Sequence, residues 1–299
     1  MKVKEHLGLK ISFLLLIVMI IVTALIGYFL IQQQTKMLKD QIMRKGETLA
    51  TIGSQIMEVK LGMGVELEYF TVQEAFDSTY TVIPGTDPVK YRTRTDSYFD
   101  DNIQGIEDSF LKDKSIVYAV LVDRNGYLPT HNSIYSKPLS GNYEQDLFGN
   151  RTKRKFDDPI GLKAAQNTEG ILVQEYERDT GEILLDISMP VKFVDQHWGA
   201  FRIGFSMQEM NQQLKSLTYS IAIVMLVLII LLSVTTFLLI NRSVSELKKI
   251  TDLASHMADG NLNKEIQTSS RDEIGKLADV LERMRISLKM SIEEIKKIK

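Results

Sequence analysis

Two stretches of the chain abandon polar alternation altogether. ISFLLLIVMIIVTALIGYFLI, Ile11 to Ile31, and LTYSIAIVMLVLIILLSVTTFLLI, Leu217 to Ile240, contain no charged residue. At 1.5 Å per residue they extend about 31 and about 36 Å, enough to cross the hydrocarbon core of a bilayer. A cleaved leader would have a shorter apolar run followed by a small-residue cleavage site. Here Ile31 continues into QQQTKMLKDQ, so the first stretch is read as a retained span. Lys2, Lys4 and Lys10 precede the first span, and Arg242, Lys248 and Lys249 follow the second. The positive-inside tendency then places both termini in the cytoplasm and residues 32–216 on the far side.

Between the spans the period changes twice. In KMLKDQIMRKGETLATIGSQIMEV, Met37, Leu38, Ile42, Met43, Leu49, Ile52, Ile56 and Met57 follow roughly the 3.6 period of one buried stripe. A helix is expected from residue 32 to about residue 77, weakened at Gly62 and Gly64. TVIPGTDPVKYRTRTDSYFDD reads as a loop from its Pro, Gly and Asp content. SIVYAVLVDRNGYLPTHN then predicts a hairpin about Asn125-Gly126, because this dipeptide accepts the positive φ of a tight turn. GILVQEYERDTGEILLDISMPVKFV predicts a second hairpin about Asp179-Thr180-Gly181, and VKFVDQHWGAFRIGF a turn at Asp195-Gln196 with a last strand. GLKAAQN predicts a short helix between them. A long helix followed by five short antiparallel strands makes an α+β domain.

Past Ile240 the helical period returns. Val244, Leu247, Thr251, Ala254 and Ala258 recur at spacings of three and four, widened by Ile250, Leu253 and Met257. The polar connector DGNLNKEIQTSSRDEIGKL follows. Ile274, Leu277, Leu281, Met284, Leu288, Ser291, Ile295 and Ile298 then continue a heptad seam. One such helix would expose its apolar stripe, so partners are expected. In a homodimer the two helices of each chain make an all-α parallel four-helix coiled-coil bundle.

Composition removes several alternatives. The formal net charge of −2 favours neither nucleic acid nor an acidic partner. The chain has no cysteine, which excludes disulfides, thiolate metal sites and CxxCH haem attachment. His131 and His197 lack ligand spacing, so no metal site is expected. No nucleophile elbow or phosphate-binding loop is present, and no catalytic residue is assigned.

The order span, long helix, antiparallel PAS-like sheet, span resembles the extracytoplasmic Cache sensors of bacterial receptors. PTHNSIYSKPLSGNY, NRTKRKFDDPIGLKAAQN, QEYERDTGE and HWGAFRIGF are similar to the sensor region of a group of methyl-accepting chemotaxis proteins, over residues 115 to 206. Some members of that group carry c-type haem, which a chain without cysteine cannot, and no cofactor is expected. The resemblance implies a small ligand held between the sheet and its covering segments. The candidates are Tyr118, Asp123, His131, Asn132, Tyr135, Arg151, Arg154, Tyr176, His197, Trp198 and Arg202. An arginine fork can hold a carboxylate bidentately, and aromatic rings can wall a pocket. Two plainer readings stand beside this. Arg151, Lys153, Arg154 and Lys155 with Asp157 and Asp158 form a salt-bridge network or a solvated face, and Trp198 before Gly199 is core packing.

The inner region resembles the HAMP domain, a signal converter of bacterial membrane receptors. Gly260 matches the connector glycine, Leu262 and Ile266 its two apolar anchors, and Asp272-Glu273-Ile274-Gly275 the motif opening the second helix. Glu273 is expected to cap or brace that helix start. The proline often found near the start of the first helix is absent, with Glu246 at about that place. The expected plan is a cytoplasmic N-terminus (1–10), a span (11–31), an extracytoplasmic Cache-like sensor (32–216), a span (217–240), HAMP (241–293) and an exit helix (294–299). The implied function is a non-enzymatic, dimeric receptor of the bacterial inner membrane, of chemotaxis or two-component type, relaying an outer stimulus to a cytoplasmic partner. The alternatives are the input half of a longer histidine kinase or cyclase, and a membrane-anchored binding protein that does not signal.

Overall fold

The computed structural model describes residues 7–268 and 270–298. The chain divides into two compact units, residues 33–217 and the remainder. Helix α1 (Leu7–Glu66) ends about one turn after Gly62, earlier than its periodicity predicts. It runs through Gly64, where Phe70 and Tyr98 occupy the space a side chain would need. A capping box between Thr71 and Glu74 starts the one-turn α2 (Val72–Ala75). The stretch expected as a loop is more ordered than its composition implies. It holds an antiparallel hairpin of β1 (Thr81–Ile83) and β2 (Lys90–Arg92) and most of α3 (Asp96–Asn102), and α4 (Gln104–Phe110) follows it.

The main sheet is four-stranded and antiparallel, in the order β3 (Ile116–Asp123), β6 (Gln196–Ser206), β5 (Ile183–Phe193), β4 (Leu172–Glu177). The Asn125-Gly126 turn is present, with Gly126 at φ 77°. The residues after it do not return along β3 as a strand. Their backbone bonds instead to the basic segment, Leu128 N–H to the Arg154 carbonyl and Phe156 N–H to that of Gly126. β3 is therefore an edge strand, and two buried side chains cover that edge. Ala119 N–H donates to Asn132 Oδ1 (3.1 Å) and Leu121 N–H to Glu107 Oε1 (2.8 Å). Burial pushes the Glu107 carboxyl well above the usual range. The β5–β6 turn lies at Val194-Asp195, both left-handed (φ 49° and 55°).

Alternation along the strands separates two faces. Ala119, Leu121, Ile187, Phe201, Ile203 and Phe205 pack with Ala50, Met57 and Leu61 of α1. Gly46 and Gly53 permit this approach: Ile187 and Phe205 fill the place of the first absent side chain, and Phe201 that of the second. On the opposite face Tyr118, Val120, Val122, Leu184 and Ala200 form a smaller cluster with Ala165. Ala165 lies on α6 (Pro159–Gln166), whose start is capped by Asp158 and carries Pro159 in its first turn. Helix α5 (Tyr143–Gly149) lies between β3 and α6 in the chain.

β6 passes into α7 (Met207–Ala258) with no intervening residue. Both α1 and α7 contain stretches long and apolar enough to cross a membrane. In the helical unit Gly260 (φ 84°) lies two residues past the end of α7, and α8 (Glu273–Ile298) follows the connector. Ile250, Ile266 and Ala278 form its buried core, flanked by Leu253, Ile274 and Leu281.

Candidate functional site

The sheet face away from α1 carries a cavity of about 440 Å³, a size suited to a small ligand. Its floor is a buried polar network. Asp186 has no exposed surface; it accepts from Tyr118 Oη (2.7 Å) and Arg202 Nε (3.1 Å), and Tyr118 Oη lies 3.1 Å from Tyr176 Oη. A side chain at position 204 would run into the Tyr118 ring, so Gly204 makes room for it. Burial opposes the Arg202 charge, but Asp186 and the two tyrosines outweigh it and raise its pKa. Burial, then Asp186, raises the Tyr118 hydroxyl.

The wall carries Arg151, Arg154, Lys155 and Arg178, and Asp157, Asp158 and Glu177 line it as well. Arg151 Nη2 and Arg154 Nη2 share one carboxylate, that of Asp179, at 2.7 and 3.1 Å. Both guanidiniums lie over the Phe156 ring, 5.3 and 5.0 Å from its centre. Arg178 pairs with Glu182 (3.1 Å) and sits 4.8 Å from the centre of the Tyr135 ring. Two cations thus divide one acid, and Arg151 Nε, Arg154 Nη1 and His131 Nδ1 are buried without a hydrogen-bond partner. Burial, followed by Arg178, lowers Arg151 to about 10. The same two causes hold His131 well below its usual value, so its ring is neutral at pH 7.

Of the residues singled out from the sequence, Tyr118, His131, Arg151, Arg154, Tyr176 and Arg202 line this cavity. Tyr135 stands behind it, its ring 4.8 Å from that of His131. The other four lie elsewhere. Asp123 holds the β3 turn through Tyr80 Oη and the Asn125 and Tyr127 N–H groups. Asn132 covers the β3 edge, and His197 Nε2 bonds the Ala165 carbonyl on α6 (2.7 Å). Trp198 belongs to the α1-side core, its Nε1 donating to the Ala75 carbonyl at 2.8 Å. The basic run does form ion pairs, but with Asp179, Asp96 and Asp100 rather than with Asp157 and Asp158. Arg178 and Phe156 were not anticipated. The available signal for Arg178 was a cation two residues beyond Tyr176, just before the Asp179-Thr180-Gly181 turn.

In the helical unit, Leu262 and Ile266 are buried (8 % and 4 % exposed) and Gly260 lies just past the end of α7. Gly275 is required by contact, since a side chain there would meet the Ser270 carbonyl. The helix cap is Asp272, not Glu273: its Oδ1 accepts from Ile274 N–H (2.9 Å) and Gly275 N–H (3.4 Å). Along α8, Ile274 and Leu281 pack on the chain's own core, whereas Leu277, Met284 and Leu288 remain exposed. Residues 238–290 match the HAMP domain. This segment is a HAMP domain. With two membrane-length apolar helices, one leading into it, the chain has the layout of a transmembrane signal-transduction receptor.

A search of curated proteins finds no match. Among solved structures, the sensor domain of E. coli DcuS is 21% identical, over 38% of this chain and 72% of that one, with a TM-score of 0.28. The ligand-binding domain of the Campylobacter jejuni chemoreceptor Tlp3 with 4-methylisoleucine is 11% identical, over 63% of this chain and 62% of that one, with a TM-score of 0.34. The Tlp3 sensory domain with isoleucine is 9% identical, over 60% and 65%, with a TM-score of 0.29. The chain spans less than two thirds of each Tlp3 domain.

Proposed function

We propose that the chain is one protomer of a dimeric inner-membrane receptor whose Cache-like domain, on the extracytoplasmic side, binds a small carboxylate in the arginine-walled cavity. The observation that carries this reading is the pair Arg151 and Arg154, which share Asp179 and leave two buried N–H groups without acceptors. An anionic, planar acceptor supplies what those groups lack. The buried acids nearby favour a carboxylate over an amine: Asp186 is taken by Arg202, and Asp179 by Arg151 and Arg154. Phe156 and Tyr176 offer apolar surface to the rest of the ligand.

Ligand binding on β6 and its neighbours biases the position of α7, which begins where β6 ends and leads into HAMP. A dimeric HAMP bundle with more than one packing turns that bias into a signal for a cytoplasmic partner. The exposed Leu277, Met284 and Leu288 support a second copy against α8, and the basic flanks of the two spans support both termini in the cytoplasm.

The test is a thermal-shift screen of the full chain in detergent against small carboxylates, amino acids and amines. Carboxylates are expected to stabilise it, and Arg154→Gln to weaken the best of them by about tenfold. Stabilisation by amines alone, or an undiminished affinity in Arg154→Gln, refutes the assignment.

A further inference from the structure

Two residues of α8 outside the HAMP motif positions reach the connector. Arg285 is 7 % exposed and makes a two-point pair with Glu282, Nε to Oε2 at 2.8 Å and Nη2 to Oε1 at 2.6 Å. Each partner also bonds connector backbone. Arg285 Nη1 donates to the Leu262 carbonyl (2.5 Å), and Glu282 Oε2 accepts from Ile266 N–H (2.8 Å). The two backbone groups belong to the two apolar anchors of the connector. They lie outside regular structure, and here side chains satisfy them. An ordinary ion pair at this spacing only decorates a helix surface; this one spans the connector from one anchor to the other.

We infer that Glu282 and Arg285 latch the connector to α8 of the same chain, so that connector and α8 move as one piece when the HAMP bundle changes its packing. α7 meets the shared core through Ile250 and Leu253, apolar side chains that impose no hydrogen-bond direction. Displacement of α7 is therefore taken up along that apolar contact, while the latched piece keeps its internal geometry. Glu282 and Arg285 are positioning residues in this scheme.

The discriminating experiment is amide hydrogen exchange on the full chain in nanodiscs without ligand, which keeps it independent of what the cavity binds. In the double variant E282R/R285E the opposite charges return at the same spacing, but a guanidinium now faces Ile266 N–H and a carboxylate faces the Leu262 carbonyl. Exchange across residues 262–268 should rise about tenfold, with residues 244–258 unchanged. Glu282→Gln keeps an acceptor for Ile266 N–H and should stay within about threefold of the parent. Native protection in the double variant would reduce the pair to a surface ion pair and overturn the latch. Equal loss in the connector and α7, or the same loss in Glu282→Gln as in the swap, would overturn it too.

Discussion

The two faces of the four-stranded sheet are made by the same strands and do opposite work. On β6, Phe201, Ile203 and Phe205 point to α1, whereas Arg202 and Gly204 alternate with them toward the cavity. The first face is shaped by volume: glycines on the helix, large side chains on the strands, and no ionisable group among the six contacting strand residues. The second is shaped by charge, and its buried Asp186–Arg202 pair contributes definition more than net stability, because both ions give up water to meet. A packed face and a ligand-facing one thus differ in what a substitution breaks.

The largest effect is expected where a charge loses its partner. Arg202→Met leaves Asp186 fully buried with only Tyr118 as a hydrogen-bond partner and should cost about 3–5 kcal/mol in denaturant unfolding. Arg202→Met/Asp186→Leu removes both ions and should recover most of that loss. If the double variant is no more stable than the single one, the pair is a net contributor and the contrast between the faces weakens.

On the packed face the corresponding test is volume. Gly53→Val drives a side chain into the Phe201 ring and should cost about 1–3 kcal/mol by the same measurement, without altering carboxylate affinity. Unchanged stability would mean that α1 and the sheet can separate at little cost. A loss of affinity would mean that the faces are coupled through β6.

The packed face was the more legible one in the sequence, because alternation and helical period report burial directly. Strand parity in β6 places Arg202 opposite Phe201 and Phe205 without further information. Parity fails at Trp198. The pairing slips between Val191 and Lys192, which face Gly199 and His197, and this bulge turns Trp198 to the α1 side. The long helix was legible as one buried stripe, yet Ile52 is exposed, while Ala50 is fully buried and strand side chains fill the space beside Gly46 and Gly53. Hydrophobicity marks what is buried, whereas close approach selects small residues, and the pattern of apolar positions does not show them. The cavity wall was legible by residue type in Arg151 and Arg154 but not by partner. Asp179 lies in a distant hairpin turn, and only the folded chain brings it to them.

The smallest expected effect tests how the roof of the polar face is held. Lys90 on β2 is 3 % exposed and donates to the Asn150 carbonyl (3.0 Å), Asn150 Oδ1 (2.5 Å) and the Thr152 carbonyl (2.6 Å), anchoring the segment that carries Arg151 and Arg154. Burial, then the nearby Arg154, lowers this ammonium from 10.5 to about 8. The unfolded chain therefore binds more protons than the folded one between about pH 8 and pH 10.5. Stability should rise with pH across that window, by at most about 1.4 kcal/mol per pH unit, and stay flat with respect to this group below it. Burial holds the hydroxyls of Tyr98 on the α1 face and Tyr118 on the cavity face above their usual pKa, and they oppose this rise only as the pH approaches 10, so the slope below that belongs to Lys90. Urea midpoints at pH 7.5, 8.5 and 9.5 should increase in the parent and lose this increase in Lys90→Met, which also leaves the Asn150 and Thr152 acceptors unpaired and lowers stability throughout. A parent midpoint independent of pH would show that the three oxygens hold the ammonium at its ordinary pKa, making the roof as insensitive to pH over this range as the packed face.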